Sequence, residues 1–199
     1  MPVVQTGAVE DHHQCKLEIG HKGELYSQRN TYTWADGRTE VHNFPGYFKQ
    51  GRIVIDSPDV LGYAVEMSAD NGHVAPMKRG GADTILFYAG YRPGSHRAGA
   101  DVWDLIRLTA EDKRFRTWQI CAGGRVVRLC EVAETRTSAA NIFLADMHEP
   151  ALAAAPAVAT TPQPIDEFPI LKKHIGVWEG TFTFIDPAGV TPKRPSRAT

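Results

Sequence analysis

The stretch that decides the fold is "KKHIGVWEGTFTFIDPAG", residues 172–189. Its first residues are typical of the tail of a short helix, and the run from Thr181 to Phe184 alternates polar and apolar side chains as a β-strand does. Residues 186–189 (Asp-Pro-Ala-Gly) predict a turn. A small β-barrel typically begins with such a pattern, yet here the pattern lies near the end of a chain of 199 residues. The strand therefore needs partners that come earlier in the sequence.

The body of the chain, from Cys15 to Thr137, consists of alternating runs separated by turn residues. Asp36-Gly37 between two such runs is a strong hairpin signal, and Gly123-Gly124 reverses the chain in the same way. Short antiparallel connections favour a meander, which closes most easily as an up-and-down barrel. The nine predicted strands are residues 15–20, 24–34, 38–48, 52–57, 60–68, 84–91, 101–109, 113–121 and 125–137.

The C-terminal strand brings the predicted total to ten. In a closed meander the first and last strands are neighbours, so we expect residues 177–185 to pair antiparallel with residues 125–132 and with residues 15–20. The predicted fold class is all-β, an antiparallel up-and-down barrel of about 8–10 strands whose first strand lies at the C-terminus. The long linker before this strand permits closure within one chain, which favours a monomer, and a strand-swapped dimer is the alternative.

Composition divides the chain into five segments. The Ala/Pro-rich linker is expected to run over the surface with few buried contacts, because it offers no periodic apolar face. The predicted segments are a flexible N-terminal segment at 1–14, the barrel body at 15–137, the linker at 138–165, a short helix plus the closing strand at 166–189, and a C-terminal tail at 190–199.

Overall composition narrows the function classes. Hydrophobic residues make up 42%, charged residues 23%, and the net charge is −1, which argues against disorder, nucleic-acid partners and a membrane protein. The three cysteines, Cys15, Cys121 and Cys130, neither form a disulfide framework nor have metal-site spacing. Without a signal-peptide pattern, the expected location is the cytoplasm. No metal site is expected.

The tripeptide Gly176-Val177-Trp178, at the start of the closing strand, resembles the G-x-W signature of the calycins, the lipocalin and fatty-acid-binding-protein type barrels. Residues 28–46 and 116–125 are similar to bacterial lipocalin-like domains, in circularly permuted order. The resemblance implies that Trp178 closes one end of the barrel against an arginine of a late strand, Arg116 or Arg128. It also implies a container for a small molecule. Some calycins hold haem through a histidine on a late strand, and these late strands contain none, so no cofactor is expected.

Several side chains are candidates for the container wall. Aromatic residues within strands fit either a packed core or a ligand pocket, since the two share one face in a barrel. The predicted ligand-binding residues are Tyr32, Trp34, His42, Tyr63, Tyr88, Trp103 and Trp118. His42, Glu66 and Arg107 interrupt the strands with polar groups and are the candidate catalytic residues.

Three functions fit these residues. The first is a module that binds a small hydrophobic or amphipathic molecule, and the second is a cofactor-free isomerase, cyclase or lyase that acts on such a molecule in the same cavity. The third is an oligomerisation or interaction module with a filled barrel. Inward-facing His42, Glu66 and Arg107 would favour the enzyme, and an apolar lining would favour the binding module. His12 and His13 are expected to lie in the flexible N-terminal segment, and Asp104 is expected to point outward.

Overall fold

The computed structural model describes residues 9–67, 83–148 and 164–185. Ten antiparallel strands form one closed barrel in the order β1-β10-β9-β8-β7-β6-β5-β4-β3-β2. The strands are β1 Val9–Lys22, β2 Leu25–Thr33, β3 Thr39–Lys49, β4 Arg52–Asp56, β5 Val60–Met67, β6 Thr84–Tyr91, β7 Ala100–Ala110, β8 Lys113–Ala122, β9 Arg125–Ser138 and β10 Gly176–Ile185. The all-β antiparallel barrel expected from the sequence is confirmed.

Tight turns join the strands where the sequence predicted them. Gly123 and Gly124 have φ of 57° and 75°, the two positive values that a type I′ hairpin turn requires and that side chains with a Cβ rarely adopt. The Asp36-Gly37 turn likewise places Gly37 at a φ of 85°. These turns make sequential strands neighbours, which produces the meander.

The last strand closes the barrel between the first and the ninth. In β10, Trp178 lies opposite Leu17 of β1 and opposite Arg136 of β9. Both pairings are antiparallel, so the predicted position of the C-terminal strand is confirmed. Closure leaves β1 and β9 with no free edge on this side, which removes the surfaces on which strands of other chains would add.

The N-terminal strand is longer than the sequence indicated. β1 begins at Val9, and His13 pairs with Phe182 in the β10 ladder. The interpretation of residues 1–14 as flexible is therefore wrong for residues 9–14, because their backbone groups are held by β10. Residues 1–8 lie outside the described part of the chain.

The segment after β9 also differs from the expected surface linker. The Asn141 side chain accepts a hydrogen bond from the His21 N–H at 2.8 Å and donates one to the His21 carbonyl at 2.9 Å. A Cβ on Gly20 would lie 2.3 Å from the Ile142 backbone, so this glycine lets the segment pass close over β1. His148, in the 3₁₀ turn Ala145–His148, is buried, with Nε2 2.8 Å from the Tyr26 carbonyl oxygen. Residues 139–148 thus pack on the barrel, whereas residues 149–163 and the predicted tail at 190–199 lie outside the described residues.

One end of the barrel is covered by residues 164–175. They comprise the 3₁₀ turn Pro164–Glu167 and the single-turn helix α1, Pro169–Lys172. The Phe168 ring contacts the Phe48 ring with centroids 5.1 Å apart. The buried apolar side chains of this segment, which extend the core across the barrel end, are Ile165, Phe168, Ile170, Leu171 and Ile175.

Candidate functional site

The barrel encloses a cavity of about 390 Å³. Leu171 and His174 line it at the end covered by α1, called here the closed end. Arg38, Glu40 and His96 line it at the opposite end and are themselves exposed, so the cavity reaches solvent there. We call this the open end.

Trp178 lies at the closed end and is fully buried. Its indole N–H donates a hydrogen bond to the His174 carbonyl oxygen at 2.9 Å. The guanidinium carbon of Arg114 lies 4.2 Å from the Trp178 ring centroid, within cation–π range, and that of Arg136 lies at 5.2 Å. Trp178 is thus packed at the closed end, with two guanidinium groups near its ring.

The prediction that Arg116 or Arg128 stacks on Trp178 was wrong, since Arg114 and Arg136 lie there instead. Arg128 lies over Phe184 at 4.5 Å, and Arg116 lies 5.6 Å from the Phe182 ring. Both residues are on inward-facing positions of the expected strands. Both nevertheless lie nearer the open end than the Trp178 ring does, because Trp178 pairs with Arg136 near the last residues of β9 and Arg128 lies near its first.

Four charged side chains are buried together beside Trp178: Asp104, Arg114, Arg116 and Glu134. Arg116 Nε donates to Asp104 Oδ2 at 3.0 Å, and Arg116 Nη1 donates to Glu134 Oε1 at 3.2 Å. Arg114 Nε donates to the other oxygen of Glu134. This group, the buried charge cluster, holds two cations and two anions inside the barrel.

A glycine makes room for the cluster. Gly180 of β10 lies opposite Glu134 of β9, and a Cβ on Gly180 would lie 2.7 Å from Glu134 Cγ. The same Cβ would lie 2.2 Å from the Ala133 carbonyl oxygen, so any larger residue at 180 would force β9 and the Glu134 side chain to shift. The glycine thus fixes where the carboxylate sits.

The two carboxyl groups of the cluster differ in their pKa. Burial raises the pKa of Asp104 above its ordinary value, against the opposing effect of Arg116. Burial would raise the pKa of Glu134 as well, but the charges of Arg114 and Arg116 outweigh it and lower that pKa. The difference follows from geometry, since Glu134 faces two guanidinium groups and Asp104 faces one.

Two atoms of the cluster have no hydrogen-bond partner among the described residues: Asp104 Oδ1 and Arg114 Nη2. Both side chains line the cavity. Buried polar atoms in proteins are nearly always paired, and leaving one unpaired costs roughly 1–3 kcal/mol. The protein thus leaves one acceptor and one donor of the cluster unpaired within the described part of the chain, and both atoms are shielded from solvent.

A chain of hydrogen bonds runs along the inward face of β2. The Tyr26 hydroxyl donates to Gln28 Oε1 at 2.7 Å, Gln28 Nε2 donates to Asn30 Oδ1 at 2.8 Å, and Asn30 Nδ2 donates to the Tyr32 hydroxyl at 2.9 Å. Burial raises the pKa of Tyr32, so its hydroxyl keeps its proton. This stripe gives one wall of the cavity polar character.

The facing wall is apolar. It is formed by side chains of four consecutive strands, β4 to β7, and Asp104 near the cluster is the one charged residue of these strands that lines the cavity. Glu66, on the same face of β5 as Ala64, is held by the Leu171 N–H at the closed end. The aliphatic lining residues of these strands are Ile53, Ile55, Val60, Ala64, Ile85, Val102 and Ile106. A cavity with one polar and one aliphatic wall is matched to an amphipathic molecule.

Aromatic rings surround the half of the cavity nearer the open end. The His13 ring stacks on Phe182 with centroids 5.4 Å apart and lies 4.4 Å from the Trp34 ring. Trp118 approaches Phe184 edge-on at 5.7 Å. His13 is buried, and burial lowers its pKa. The interpretation of His13 as part of a disordered surface segment is therefore wrong, because β1 carries it into the barrel.

Only four of the seven predicted ligand-binding residues line the cavity: Tyr32, Trp34, His42 and Trp118. The other three, Tyr63, Tyr88 and Trp103, stack on one another on the outer face of β5 to β7, with ring centroids 5.7 Å and 4.4 Å apart. Their neighbours in sequence, such as Ala64 and Val102, line the cavity instead. The prediction was wrong for these three because successive side chains of a strand point to opposite faces.

The catalytic candidates do not meet in the cavity. His42 lies at the open end, with Nε2 3.6 Å from Glu40 Oε2. Arg107 is exposed on the outer face of β7. Glu66 accepts a hydrogen bond from the Leu171 N–H at 2.6 Å and so fastens α1 to the barrel, and burial raises its pKa. The structure therefore separates the three residues.

Sequence reasoning missed three members of the buried charge cluster, Asp104, Arg114 and Glu134, and expected the fourth, Arg116, against Trp178 instead. Asp104 was expected to point outward and is instead inside the barrel, 1% exposed. Arg114, Arg116 and Trp118 share one face of β8, but a tryptophan alone does not mark the inner face, since Trp103 lies on the outer face of β7 and is 41% exposed. Glu134 carries no signal either.

The described residues hold no group of three or more His, Cys, Asp or Glu side chains that could bind a metal ion. All three cysteines are free, and burial raises the pKa of Cys130 to about 12. No helix in the described ranges is both long enough and apolar enough to cross a membrane.

No family model, curated protein or solved structure matches this chain.

Proposed function

We propose that this protein is a calycin-like binding barrel that holds a small amphipathic molecule in its cavity. The observation that carries the proposal is the division of the cavity wall, with the β2 hydrogen-bond chain and the buried charge cluster on one side and the aliphatic strands β4 to β7 on the other. A filled interaction module would need no such space. The cavity of about 390 Å³ lies within the usual range of small-molecule pockets, roughly 300–1,000 Å³.

The arrangement favours binding over catalysis. Of the three catalytic candidates only His42 lines the cavity, and its ring lies against Tyr32 with centroids 5.4 Å apart. Burial raises the pKa of the Cys15 and Cys130 thiols, so neither is an activated nucleophile. The described residues therefore do not bring an acid, a base and a nucleophile together in the cavity, and their arrangement favours ligand binding over catalysis.

The closed end and the strand order also support proposals on the order of the chain and its oligomeric state. The G-x-W tryptophan stacks under an arginine at a closed end, as in calycins, and the first strand of that pattern stands last in the chain. We propose a circularly permuted calycin-like chain that acts as a monomer, since β10 completes the barrel of its own chain. The free cysteines fit a reducing cytoplasm.

Binding of the uncharged fluorescent dye N-phenyl-1-naphthylamine tests the proposal. We expect saturable fluorescence enhancement with one dye per chain. Ala64→Phe places a ring in the cavity and should weaken dye binding at least about tenfold, because a filled site excludes its ligand. Val65→Phe, on the outer face of the same strand, is the matched control and should bind as the wild type does. Equal dye affinity in all three proteins would mean that the dye does not enter the barrel.

A further inference from the structure

One arginine of the cavity wall has no carboxylate partner among the described residues. The arginines that line the cavity are Arg38, Arg97, Arg114, Arg116 and Arg128. Arg38, Arg114 and Arg116 each form an ion pair with a carboxylate, whereas Arg97 forms none with any residue that the structure describes. Its Nη1 donates a hydrogen bond to the Tyr91 hydroxyl at 3.0 Å. A guanidinium group therefore lines the cavity without a counter-charge from the described residues.

The remaining donors of this guanidinium are in contact with solvent. Arg97 Nε and Nη2 have no hydrogen-bond partner in the described part of the chain, and in contrast to Arg114 Nη2 they are not shielded from solvent. Arg97 is half-buried in the loop of residues 92–99, which joins β6 to β7. The preceding residue, His96, is exposed at the open end. A molecule that enters the barrel from that end can therefore reach both N–H groups.

Two aromatic rings of the cavity wall hold the guanidinium in the mouth of the barrel. The guanidinium carbon of Arg97 lies 5.6 Å from the Trp118 ring centroid and 5.7 Å from that of Tyr91. Both rings belong to side chains that line the cavity, and both distances are within cation–π range. The cation thus lies over the inner wall of the barrel and not over its outer face.

The carboxylates at the open end leave this cation unmatched. Asp11 accepts a hydrogen bond from an indole N–H, and Glu40 pairs with Arg38. Asp59 also lines the cavity, but it is exposed and forms no ion pair with a described residue. An anion at Arg97 would therefore gain charge-assisted hydrogen bonds without breaking an existing ion pair. It would also keep contact with water, so it would avoid most of the cost of burying a charge.

We infer that the ligand is an amphipathic acid whose oxyanion, a carboxylate or a sulfonate, binds Arg97 at the open end. Its apolar body lies deeper, against the aliphatic wall. The Nε and Nη2 groups of one guanidinium are parallel donors, which suits an acceptor with two or more oxygens. This inference rests on the proposed binding function and names the ligand class for the same cavity. It makes Arg97 the specificity-determining residue.

Two dyes with one scaffold separate this inference from simple apolar binding. 8-Anilinonaphthalene-1-sulfonate is N-phenyl-1-naphthylamine with one added sulfonate group, so the two differ by the oxyanion alone. Fluorescence titration measures the affinity of each dye for the same protein. A substitution that changes only the packing of the mouth should affect both dyes alike, whereas loss of an oxyanion site should affect the sulfonate alone.

Two arginines of the same loop provide the variant and its control. Arg97→Gln should weaken binding of the sulfonate at least about tenfold and that of the uncharged dye less than about twofold, because only the sulfonate loses a charged partner. Arg92→Gln makes the same chemical change at a residue that pairs with Asp56 and does not line the cavity. It should leave both affinities at the wild-type value. Ala64→Phe, which fills the cavity, should weaken both dyes.

The response to salt tests the same contact in the wild-type protein. Raising the salt concentration should weaken binding of the sulfonate and leave that of the uncharged dye unchanged, because salt screens an ion pair that is open to solvent. An equal response of the two dyes would overturn the inference. So would a folded Arg97→Gln protein that binds the sulfonate as the wild type does, or an equal loss in Arg92→Gln. If Arg97→Gln does not fold, the salt response decides alone.

The uncharged dye separates failure of the inference from failure of the proposed function. If N-phenyl-1-naphthylamine binds in the cavity and Arg97→Gln leaves the sulfonate affinity unchanged, the barrel is a binder without this oxyanion site. If neither dye binds, the proposed function itself is wrong, and the inference falls with it.

Discussion

Each end of the barrel carries a tryptophan with a guanidinium group over its ring. At the closed end Arg114 lies 4.2 Å from the Trp178 ring centroid, and at the open end Arg38 lies 3.9 Å from that of Trp34. Both indole N–H groups donate a hydrogen bond, Trp178 to a backbone carbonyl at 2.9 Å and Trp34 to the Asp11 carboxylate at 3.0 Å. The two pairs are therefore nearly identical in local geometry.

They differ in solvent contact. Trp178 and Arg114 are 0% and 2% exposed, whereas Trp34 is half-buried and the Arg38 side chain is 54% exposed. A cation–π contact contributes about 0.5–1 kcal/mol at an exposed site and about 2 kcal/mol or more when it is removed from water. The same kind of contact should therefore stabilise the fold more at the closed end than at the open end.

Removal of the closed end should have the largest effect. Deleting residues 165–199 takes away α1, Trp178 and β10, and it leaves β1 and β9 with unpaired edges and the buried charge cluster without its cover. We expect the truncated chain to aggregate and to lose the cooperative unfolding transition of the full chain. A truncated chain that remains folded and monomeric by circular dichroism and size-exclusion chromatography would show that β10 does not belong to this barrel.

The two tryptophans can be compared directly by truncation to alanine. Trp178→Ala should lower the free energy of unfolding by about 3–5 kcal/mol, as large core truncations do. Trp34→Ala is the matched control, with the same residue type and the same kind of arginine contact, and should cost under about 2 kcal/mol because Trp34 is only partly buried. Urea unfolding of the two variants measures the difference. Equal losses would show that the buried Trp178 contributes no more to the stability of the fold than the partly exposed Trp34.

A smaller effect should appear in the pH dependence of stability. The His174 pKa is lowered from 6.5 to about 2 by burial and by the charges of Arg114, Arg116 and Arg136. The unfolded chain therefore binds a proton at His174 below pH 6.5 that the folded chain does not, so stability is present above this pH and is lost as the pH falls. Between pH 7 and pH 5 this loss amounts to about 2 kcal/mol.

His174→Gln isolates that contribution. Other buried groups titrate in both proteins, so the difference between the two pH profiles belongs to His174. We expect the variant to lose about 2 kcal/mol less than the wild type between pH 7 and pH 5, measured by urea unfolding at each pH. Parallel profiles would mean that His174 does not stay neutral in the folded protein.

The fold was readable from the sequence because its signals are local. Alternation over short runs and glycines at Gly37 and Gly123-Gly124 depend on neighbours within a few residues, and a meander needs no information about distant contacts. Closure by residues 177–185 followed from counting strands and from the rule that a meander joins its ends. The errors in the fold lie at segments without such signals, namely residues 9–14 and 139–148, whose structure comes from packing on β10, β1 and β2.

The candidate site could be predicted from the sequence only in part, because some strands carry apolar residues on both faces. In β7, Trp103 and Leu105 lie on one face and Val102 and Ile106 on the other, so the residue types do not say which face is inside. A shift of one residue exchanges the faces. The assignment of Trp103 to the cavity failed for this reason.

The sequence by itself determined the strands and their turns, because alternation and turn residues lie close together in the chain, and their order followed from the rule that a meander joins its ends. The burial of Trp178 was expected from the resemblance of Gly176-Val177-Trp178 to the calycin signature. Tertiary structure alone decided which guanidinium covers Trp178 and that Asp104 points inward. Both depend on the stagger between strands: Arg114 lies opposite Glu134, and Glu134 lies opposite Gly180, two residues beyond Trp178. A buried carboxylate is stable only where a cation from another strand reaches it, and no pattern within β7 specifies that Arg116 of β8 does so.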